Sequence, residues 1–216
     1  MILKFKIFVA KIILCFIEIM RNIYYRIRRI KLKNKNVSII SRNCIGGCIY
    51  HNLGLQFLSP TINLFFEPDD YIKFINNLKH YINCTPVEVT DSDKPYPVGE
   101  LVFGEERIKV YFMHYPSFEN AKECWVRRAK RVNYDNICFI NEWYFDSDDE
   151  AEAYIKRYNT IPYEHRIMLN NRINGDKVIS MGNEYNGVIL HRKNPYKIKR
   201  PLDDFDYVSF LNSVKE

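Results

Sequence analysis

Cys44 and His114 are the two residues whose types and positions fit nucleophilic catalysis. Cys44 lies in the glycine-containing turn Asn43–Gly47 after one β-branched segment, and His114 ends another. If a helix begins at Gly47, its dipole would lower the pKa of the thiol, and an imidazole would act as the base. This pattern predicts a thiol-dependent acyltransferase or hydrolase. The alternative is that Cys44 is a small buried residue, and His51 is a second candidate base.

The turn could also bind an anion, because backbone N–H groups at a helix N-terminus favour negative charge. Asn43, Gly46 and Gly47 are the residues of this predicted anion site. Arg128 and Arg131 lie three residues apart on a predicted helix and share a face, which suits the binding of a phosphate. The alternative is a solvated basic face that compensates the helix C-terminus.

Polar residues follow that helix immediately before a predicted buried strand. Asn133 and Asp135 belong to this segment, and a plain connection would not need four polar residues in a row. We therefore include both residues in the predicted ligand site.

The sequence predicts no metal site and leaves a cofactor unknown. No Cys-x-x-Cys pair is present, and the six cysteines are predicted to form no disulfide. Asp91-Ser92-Asp93 and Asp146-Ser147-Asp148 match the Asp-x-Asp pattern of metal-dependent glycosyltransferases. We interpret the first as a solvated loop and the second as a helix cap. Patterns typical of dinucleotide or nucleotide phosphate loops are absent.

The elements that position these residues alternate between strands and helices. The predicted strands cover 36–42, 61–66, 86–90, 100–103, 107–114, 136–141, 165–169 and 177–180. The predicted helices cover 48–53, 69–82, 117–131, 147–158 and 201–214. This order predicts an α/β fold: a Rossmann-like three-layer sandwich with a mostly parallel sheet and an antiparallel hairpin.

Ligands of such sheets bind outside the carboxyl ends of the strands. The predicted strand ends select three loops, which are Asn43–Gly47, His114–Ser117 and Asn141–Asp146.

The charge is unevenly distributed along the chain. Residues 1–36 hold ten Lys or Arg and one Glu, whereas the other 180 residues hold 22 basic and 25 acidic residues. The folded body is therefore net negative, which argues against a nucleic-acid-binding surface. Residues 1–35 are predicted to form a basic amphipathic helix and a polar linker, and residues 36–216 a single α/β domain.

The predicted N-terminal helix carries its charges on a narrow stripe. Lys11, Glu18 and Arg26 fall on this stripe, and most of the remaining surface is apolar. Because charges interrupt the apolar residues, we expect the helix to lie in an anionic membrane surface rather than to span it. The alternatives are a solvated basic helix, an amphipathic helix packed on a partner protein, and a short re-entrant or membrane-spanning helix.

Three separated segments resemble the bacterial family called domain of unknown function 1919. They are Ser41–Phe66 (SRNCIGGCIYHNLGLQFLSPTINLFF), Tyr96–Leu101 (YPVGEL) and His114–Ile140 (HYPSFENAKECWVRRAKRVNYDNICFI). Members of this family are commonly labelled exopolysaccharide or capsular polysaccharide biosynthesis proteins. The resemblance implies surface-polysaccharide assembly at the cytoplasmic face of the bacterial inner membrane. It supplies no reaction.

Together these observations predict a membrane-associated transferase that uses an activated sugar or acyl donor. The alternative is a non-catalytic glycan- or nucleotide-binding or scaffold protein that works with other polysaccharide-assembly proteins.

Overall fold

The computed structural model describes residues 2–90, 93–182 and 195–214. Its α-helices are α1 (Ile2–Lys31), α2 (Ile45–Leu53), α3 (Pro68–Asn76), α4 (Leu78–Asn83), α5 (Phe118–Ala129), α6 (Asp148–Tyr158) and α7 (Tyr207–Ser213). Its strands are β1 (Ser38–Ser41), β2 (Val87–Val89), β3 (Val98–Phe103), β4 (Glu106–Tyr111), β5 (Ile137–Glu142), β6 (Arg166–Asn170) and β7 (Val178–Ser180). A short 3-10 helix, Pro201–Asp204, precedes α7.

The strands form two separate sheets. The four-stranded sheet has the order β1-β5-β6-β7, and all its strand pairs are parallel. The predicted hairpin is part of a second, antiparallel sheet with the order β2-β3-β4. The α/β class and the mostly parallel sheet are therefore confirmed, and the hairpin lies outside the parallel sheet.

The parallel sheet is buried on both faces, as parallel sheets usually are. Successive residues of β5 point to opposite sides: Phe139 belongs to one hydrophobic core, and Cys138 and Ile140 belong to the other. The first core includes residues of α3 to α6 and of the antiparallel sheet, and the second includes residues of α2 and α7. This arrangement places helices on both sides of the sheet.

Three predicted elements differ from the structure. Residues 61–66 form no strand, because Asn63 has a left-handed φ of 62° that interrupts an extended chain, and only Phe65 forms a bridge, with Tyr111. The predicted helix 69–82 begins one residue earlier, at Pro68, and is split by Asn77 into α3 and α4. Adjacent asparagines favour such a break, since they are poor helix formers. The predicted helix 201–214 is likewise divided, into the 3-10 helix and α7.

Side-chain hydroxyls cover the outer edge of β1. The Ile39 N–H donates to the Tyr50 hydroxyl at 2.8 Å, and that hydroxyl donates to the Val37 carbonyl at 3.0 Å. The Ser41 N–H donates to Thr61 Oγ1 at 3.0 Å. An edge strand normally presents these groups to other chains, and here they are satisfied within the protein.

The C-terminal half of α1 packs on the body, whereas most described side chains between Lys6 and Phe16 are exposed. Ile17, Arg21 and Tyr25 recur every four residues and are at most 8% exposed. The Arg21 guanidinium donates to the Lys197 and Ile198 carbonyls at 2.8 and 3.2 Å. The large apolar residues of α1 that remain exposed are Ile7, Phe8, Val9, Ile12, Ile13, Leu14, Phe16, Ile19, Ile23, Ile27 and Ile30. Within the described residues, no helix has the length and apolarity needed to cross a bilayer.

The polar linker expected over residues 31–35 is not a solvated connection. Leu32 is 3% exposed and belongs to the second core. The buried Asn34 amide donates to Asn136 Oδ1 at 2.8 Å and to the Leu211 and Val214 carbonyls at 3.1 Å. This segment is thus fixed to both the sheet and the C-terminal helix.

Candidate functional site

The carboxyl ends of β1 and β5 bring a carboxylate and an amide together. The register pairs Ser41 with Ile140, so that Asn43 and Glu142, each two residues on, are neighbours. Asn43 Nδ2 donates to Glu142 Oε2 at 2.6 Å, and Glu142 is fully buried. This pair lies in two of the three loops that the sequence selects.

Arg42 holds the same two strand ends together. Its Nε donates to the Glu142 carbonyl at 2.9 Å, and its Nη1 donates to the Phe66 carbonyl at 2.7 Å. The guanidinium carbon lies 4.5 Å from the centroid of the Trp143 ring, a favourable cation–π distance. Burial lowers the pKa of Arg42, because desolvation disfavours the charged form.

The N-terminus of α2 uses its N–H groups within the fold. The helix begins at Ile45 rather than Gly47, and the Ile45 N–H donates to Asn43 Oδ1 at 3.1 Å. The Gly46 N–H donates to Ser41 Oγ at 3.2 Å. A Cβ on Gly46 would lie 2.5 Å from that oxygen, so this close approach requires glycine. Two N–H groups of the turn Asn43–Gly47 therefore already have acceptors, and one of them, that of Gly46, belongs to the predicted anion site.

Cys44 is a buried neutral thiol. It is 7% exposed, and its Sγ lies 3.8 Å from the Leu64 carbonyl, to which it donates. Burial raises the pKa of Cys44 to about 12, and the neighbouring Cys48 and Glu142 act in the same direction. The pKa shift is thus opposite to the lowering that the sequence predicts. Desolvation outweighs the helix dipole here.

The raised pKa of Cys44 makes the stability of the protein sensitive to alkali. In the unfolded chain the thiol ionises near its ordinary pKa of 9.0, whereas in the folded protein it stays neutral until the pH approaches 12. The contribution of this thiol to the free energy of unfolding is therefore complete below pH 9 and is lost as the pH rises towards 12. We expect Cys44 to account for a loss of about 1.4 kcal/mol in the free energy of unfolding at about pH 10. Urea unfolding at neutral pH and at about pH 10 measures this loss. Cys44→Ala should lose less stability than the wild type, and Cys15→Ala, which removes an exposed thiol, should behave like the wild type. Equal losses in both variants would contradict the assignment.

The two candidate bases are exposed. His114 follows β4 in the antiparallel sheet, so the rule for parallel strand ends does not apply to its loop, and its backbone N–H donates to the Asn63 carbonyl. His51 lies in the last turn of α2. Among the described residues, neither imidazole forms a hydrogen bond with Cys44. The Cys44–His114 pair therefore stays a prediction.

Arg128 is buried rather than on a solvated face. Its Nη1 donates to the Tyr115 hydroxyl, and its guanidinium carbon lies 5.1 Å from the Phe57 ring centroid. Arg131 comes after the end of α5, where its N–H donates to the Arg128 carbonyl at 3.0 Å. The helical face that the sequence assigns to both arginines therefore does not extend to Arg131.

Asn133 and Asp135 lie at the amino ends of the parallel strands, opposite to the carboxyl ends where Asn43 and Glu142 lie. The Asn133 N–H donates at 2.8 Å to the Oγ of Ser38, the first residue of β1, and the Asp135 N–H donates to Asn133 Oδ1 at 3.2 Å. These bonds form a turn at the amino ends of β1 and β5. The length of β1 separates these residues from the turn Asn43–Gly47, so the structure does not bring the two groups together. The ligand-binding role of Asn133 and Asp135 stays a prediction.

The profile of a family described as "Domain of unknown function (DUF1919)" matches residues 16–212. The chain belongs to this family. The chain is also similar to an uncharacterized protein of Haemophilus influenzae, which is 29% identical over 195 residues; the alignment covers 84% of this chain and 87% of that protein. The DUF1919 match begins next to Ile17, the first buried residue of α1 among the described side chains. The exposed beginning of α1 thus lies outside the matched segment.

Two site residues of this DUF1919 chain, Glu142 and Arg42, are not among the residues that the sequence predicts. Glu142 directly follows the predicted strand 136–141, and Arg42 is the last residue of the predicted strand 36–42. Their position at the end of a strand is the sequence feature that could have identified them. The described part of the chain contains no group of three or more His, Cys, Asp or Glu side chains able to hold a metal ion. Asp91 and Ser92 lie outside the described residues, and Ser147 caps α6 as expected by accepting from the Glu150 N–H.

Proposed function

We propose that this protein is a membrane-associated enzyme of bacterial surface-polysaccharide biosynthesis. It works at the cytoplasmic face of the inner membrane and transfers a group from an activated sugar or acyl donor. The Asn43–Glu142 pair carries the site assignment, because ligands of parallel sheets bind at the carboxyl edge where this pair lies. The proposed role in surface-polysaccharide assembly rests on the labels that members of this family commonly carry.

Glu142 suits the chemistry of a sugar hydroxyl. A carboxylate accepts a hydrogen bond from a hydroxyl and can take its proton as a general base. The Asn43 amide donates a hydrogen bond to the Glu142 carboxylate at 2.6 Å and so orients it. The hydrogen bond from Arg42 Nε to the Glu142 carbonyl fixes the end of β5. Glu142 is accordingly the proposed acceptor-binding residue and Asn43 its positioning residue.

The exposed apolar residues of α1 support the membrane assignment. Phe8 and Phe16 are 61% and 62% exposed, and basic residues occupy the polar stripe of the same helix. Aromatic and aliphatic side chains combined with Lys and Arg are typical of helices that lie in an anionic membrane interface.

A ligand screen with the full-length protein tests the proposed function. Nucleotide sugars, coenzyme A and acetyl-coenzyme A are added separately, with and without Mg²⁺ or Mn²⁺, and thermal unfolding is followed. A true ligand at 100 times its dissociation constant should stabilise the folded protein by about 2.7 kcal/mol. We expect Glu142→Gln to reduce this stabilisation and Glu123→Gln, which changes an exposed glutamate of α5, to retain it. Stabilisation by none of these donors, or an equal shift in both variants, would contradict the proposed site.

A binding or scaffold role is the second candidate function. The raised pKa of Cys44 and the hydrogen bond from the Gly46 N–H to Ser41 Oγ favour it, because a neutral thiol is a poor nucleophile and this N–H already has an acceptor. A donor that binds at Glu142 without turnover in the presence of glycan acceptors would support this second candidate.

A further inference from the structure

A cavity of about 510 Å³ lies between the C-terminal half of α1 and the C-terminal helices. It is separate from the Asn43–Glu142 pair. Tyr24, Arg28 and Lys31 line it from α1, and Ser209 and Asn212 line it from α7. Charged residues of the preceding segment complete the wall; they are Lys199, Asp203, Asp204 and Asp206.

The cavity contains unpaired charges of both signs. Lys31 and Lys199 make no side-chain hydrogen bond or ion pair with any residue that the structure describes, and the same is true of the Asp204 carboxylate. Asp203 differs, because it accepts hydrogen bonds from the Tyr25 and Tyr207 hydroxyls at 3.0 and 3.1 Å. Two cations and one anion of the wall are therefore available to a ligand.

Arg28 adds donors that lack acceptors. Its Nη1 donates to the Tyr24 hydroxyl at 2.6 Å, and its guanidinium carbon lies 3.9 Å from the Tyr207 ring centroid. Its Nη2 forms an ion pair with Asp206 Oδ1 at 3.6 Å, which is too long for a hydrogen bond, and the buried Nε and Nη2 have no hydrogen-bond acceptor among the described residues. Buried donors without acceptors are uncommon and are often explained by an ion or ligand that satisfies them.

The wall is held in place by bonds between α1 and α7. Asn212 Nδ2 donates to the Lys31 carbonyl at 3.0 Å, and its Oδ1 accepts from the Lys33 and Asn34 N–H groups. Asp206 accepts from the Ser209 N–H and hydroxyl. The charged groups therefore stand on a fixed backbone, which lowers the entropic cost of binding.

We propose that this cavity binds a group that carries both a phosphate and an ammonium. Lys31, Lys199 and Arg28 face the phosphate, and Asp204 faces the ammonium. The ligand is either the headgroup of an ethanolamine phospholipid or a free ethanolamine phosphate ester. The lipid source rests on the proposed membrane association of α1, whereas the soluble source does not.

Calorimetric titration of the full-length protein with glycerophosphoethanolamine tests the proposal. Glycerol phosphate and ethanolamine are the controls that carry one charge type each. We expect the zwitterion to bind at least about tenfold more tightly than either control, because only the zwitterion can contact the cations and the Asp204 carboxylate together. Equal affinity for glycerol phosphate would reduce the cavity to an anion site, and absence of binding by the zwitterion would overturn the proposal.

Single substitutions locate the two charges. Lys199→Gln should weaken the binding of both glycerophosphoethanolamine and glycerol phosphate. Asp204→Asn should weaken the binding of glycerophosphoethanolamine alone. Lys130→Gln, an exposed residue after α5, should change neither. Unchanged zwitterion affinity in Lys199→Gln and Asp204→Asn would overturn the assignment to this cavity.

Vesicle flotation separates the two sources. If the ligand is a lipid headgroup, wild-type protein binds phosphatidylethanolamine–phosphatidylglycerol vesicles better than phosphatidylglycerol vesicles, and Lys199→Gln removes this difference. If the ligand is soluble, flotation is indifferent to phosphatidylethanolamine while the calorimetric binding persists. Loss of all vesicle binding together with retained calorimetric binding would count against the membrane proposal alone.

Discussion

A protein that lacks residues 1–35 should not fold, whereas a protein that lacks residues 1–15 should keep the stability of the full chain. The longer deletion removes Tyr25, Leu32 and Asn34, all of which are buried against the body. Truncating a large buried side chain costs about 2–5 kcal/mol, and whole domains are stable by only about 5–15 kcal/mol. The loss of the Tyr25 and Leu32 side chains, together with the loss of the Asn34 hydrogen bonds, should therefore cost as much free energy as the whole fold provides.

Far-UV circular dichroism and urea unfolding of both deletion variants measure this difference. The shorter deletion removes only residues that precede Ile17, so a cooperative transition like that of the full chain is expected. It should also bind anionic vesicles more weakly than the full chain, because it removes Phe8 and the exposed apolar residues around it but keeps Phe16. A cooperative transition in the protein without residues 1–35 would show that the contacts of α1 are dispensable.

Arg42→Ala should lower the free energy of unfolding by about 3–5 kcal/mol, since hydrogen bonds to charged groups contribute about 1.5–3 kcal/mol each. The substitution removes two such bonds, leaves the Glu142 and Phe66 carbonyls without this donor, and abolishes the contact with Trp143. Urea unfolding at neutral pH provides the measurement.

Arg107→Ala is the matched control. The Arg107 side chain is 65% exposed and pairs with Glu100 at 3.3 Å, and exposed ion pairs contribute about 0–1 kcal/mol. Similar losses in the two variants would show that Arg42 does not hold the ends of β1 and β5 together.

Local signals in the sequence were sufficient for most of the elements. Ser117 and Ser147 each accept a hydrogen bond from the N–H three residues on, and the helices begin where these caps predict. Residues 61–66 form no strand although their β-branched and aromatic residues favour one. Their burial arises from packing in the cores, while Asn63 prevents continuous pairing.

The site was less predictable than the fold. Asn43 was found because a glycine-containing turn marks it, but its partner Glu142 is 99 residues away and is placed by the register of β1 against β5. Asn34 was assigned to a linker for a similar reason, since its acceptors are contributed by residues 136, 211 and 214. Such distant pairings leave no periodic pattern along the chain.

The hydroxyl groups that cover the outer edge of β1 have a consequence for synthesis of the chain on the ribosome. Ser38 pairs with Ile137, so the edge of β1 that faces β5 stays unpaired until 99 further residues have been synthesised. This takes about 5–20 s at the usual rate of translation. Tyr50 and Thr61 emerge much earlier and can close the outer edge soon after β1 itself is made. The nascent chain therefore presents one unpaired edge of β1 instead of two while β5 is being synthesised, which reduces the strand surface open to pairing with other chains.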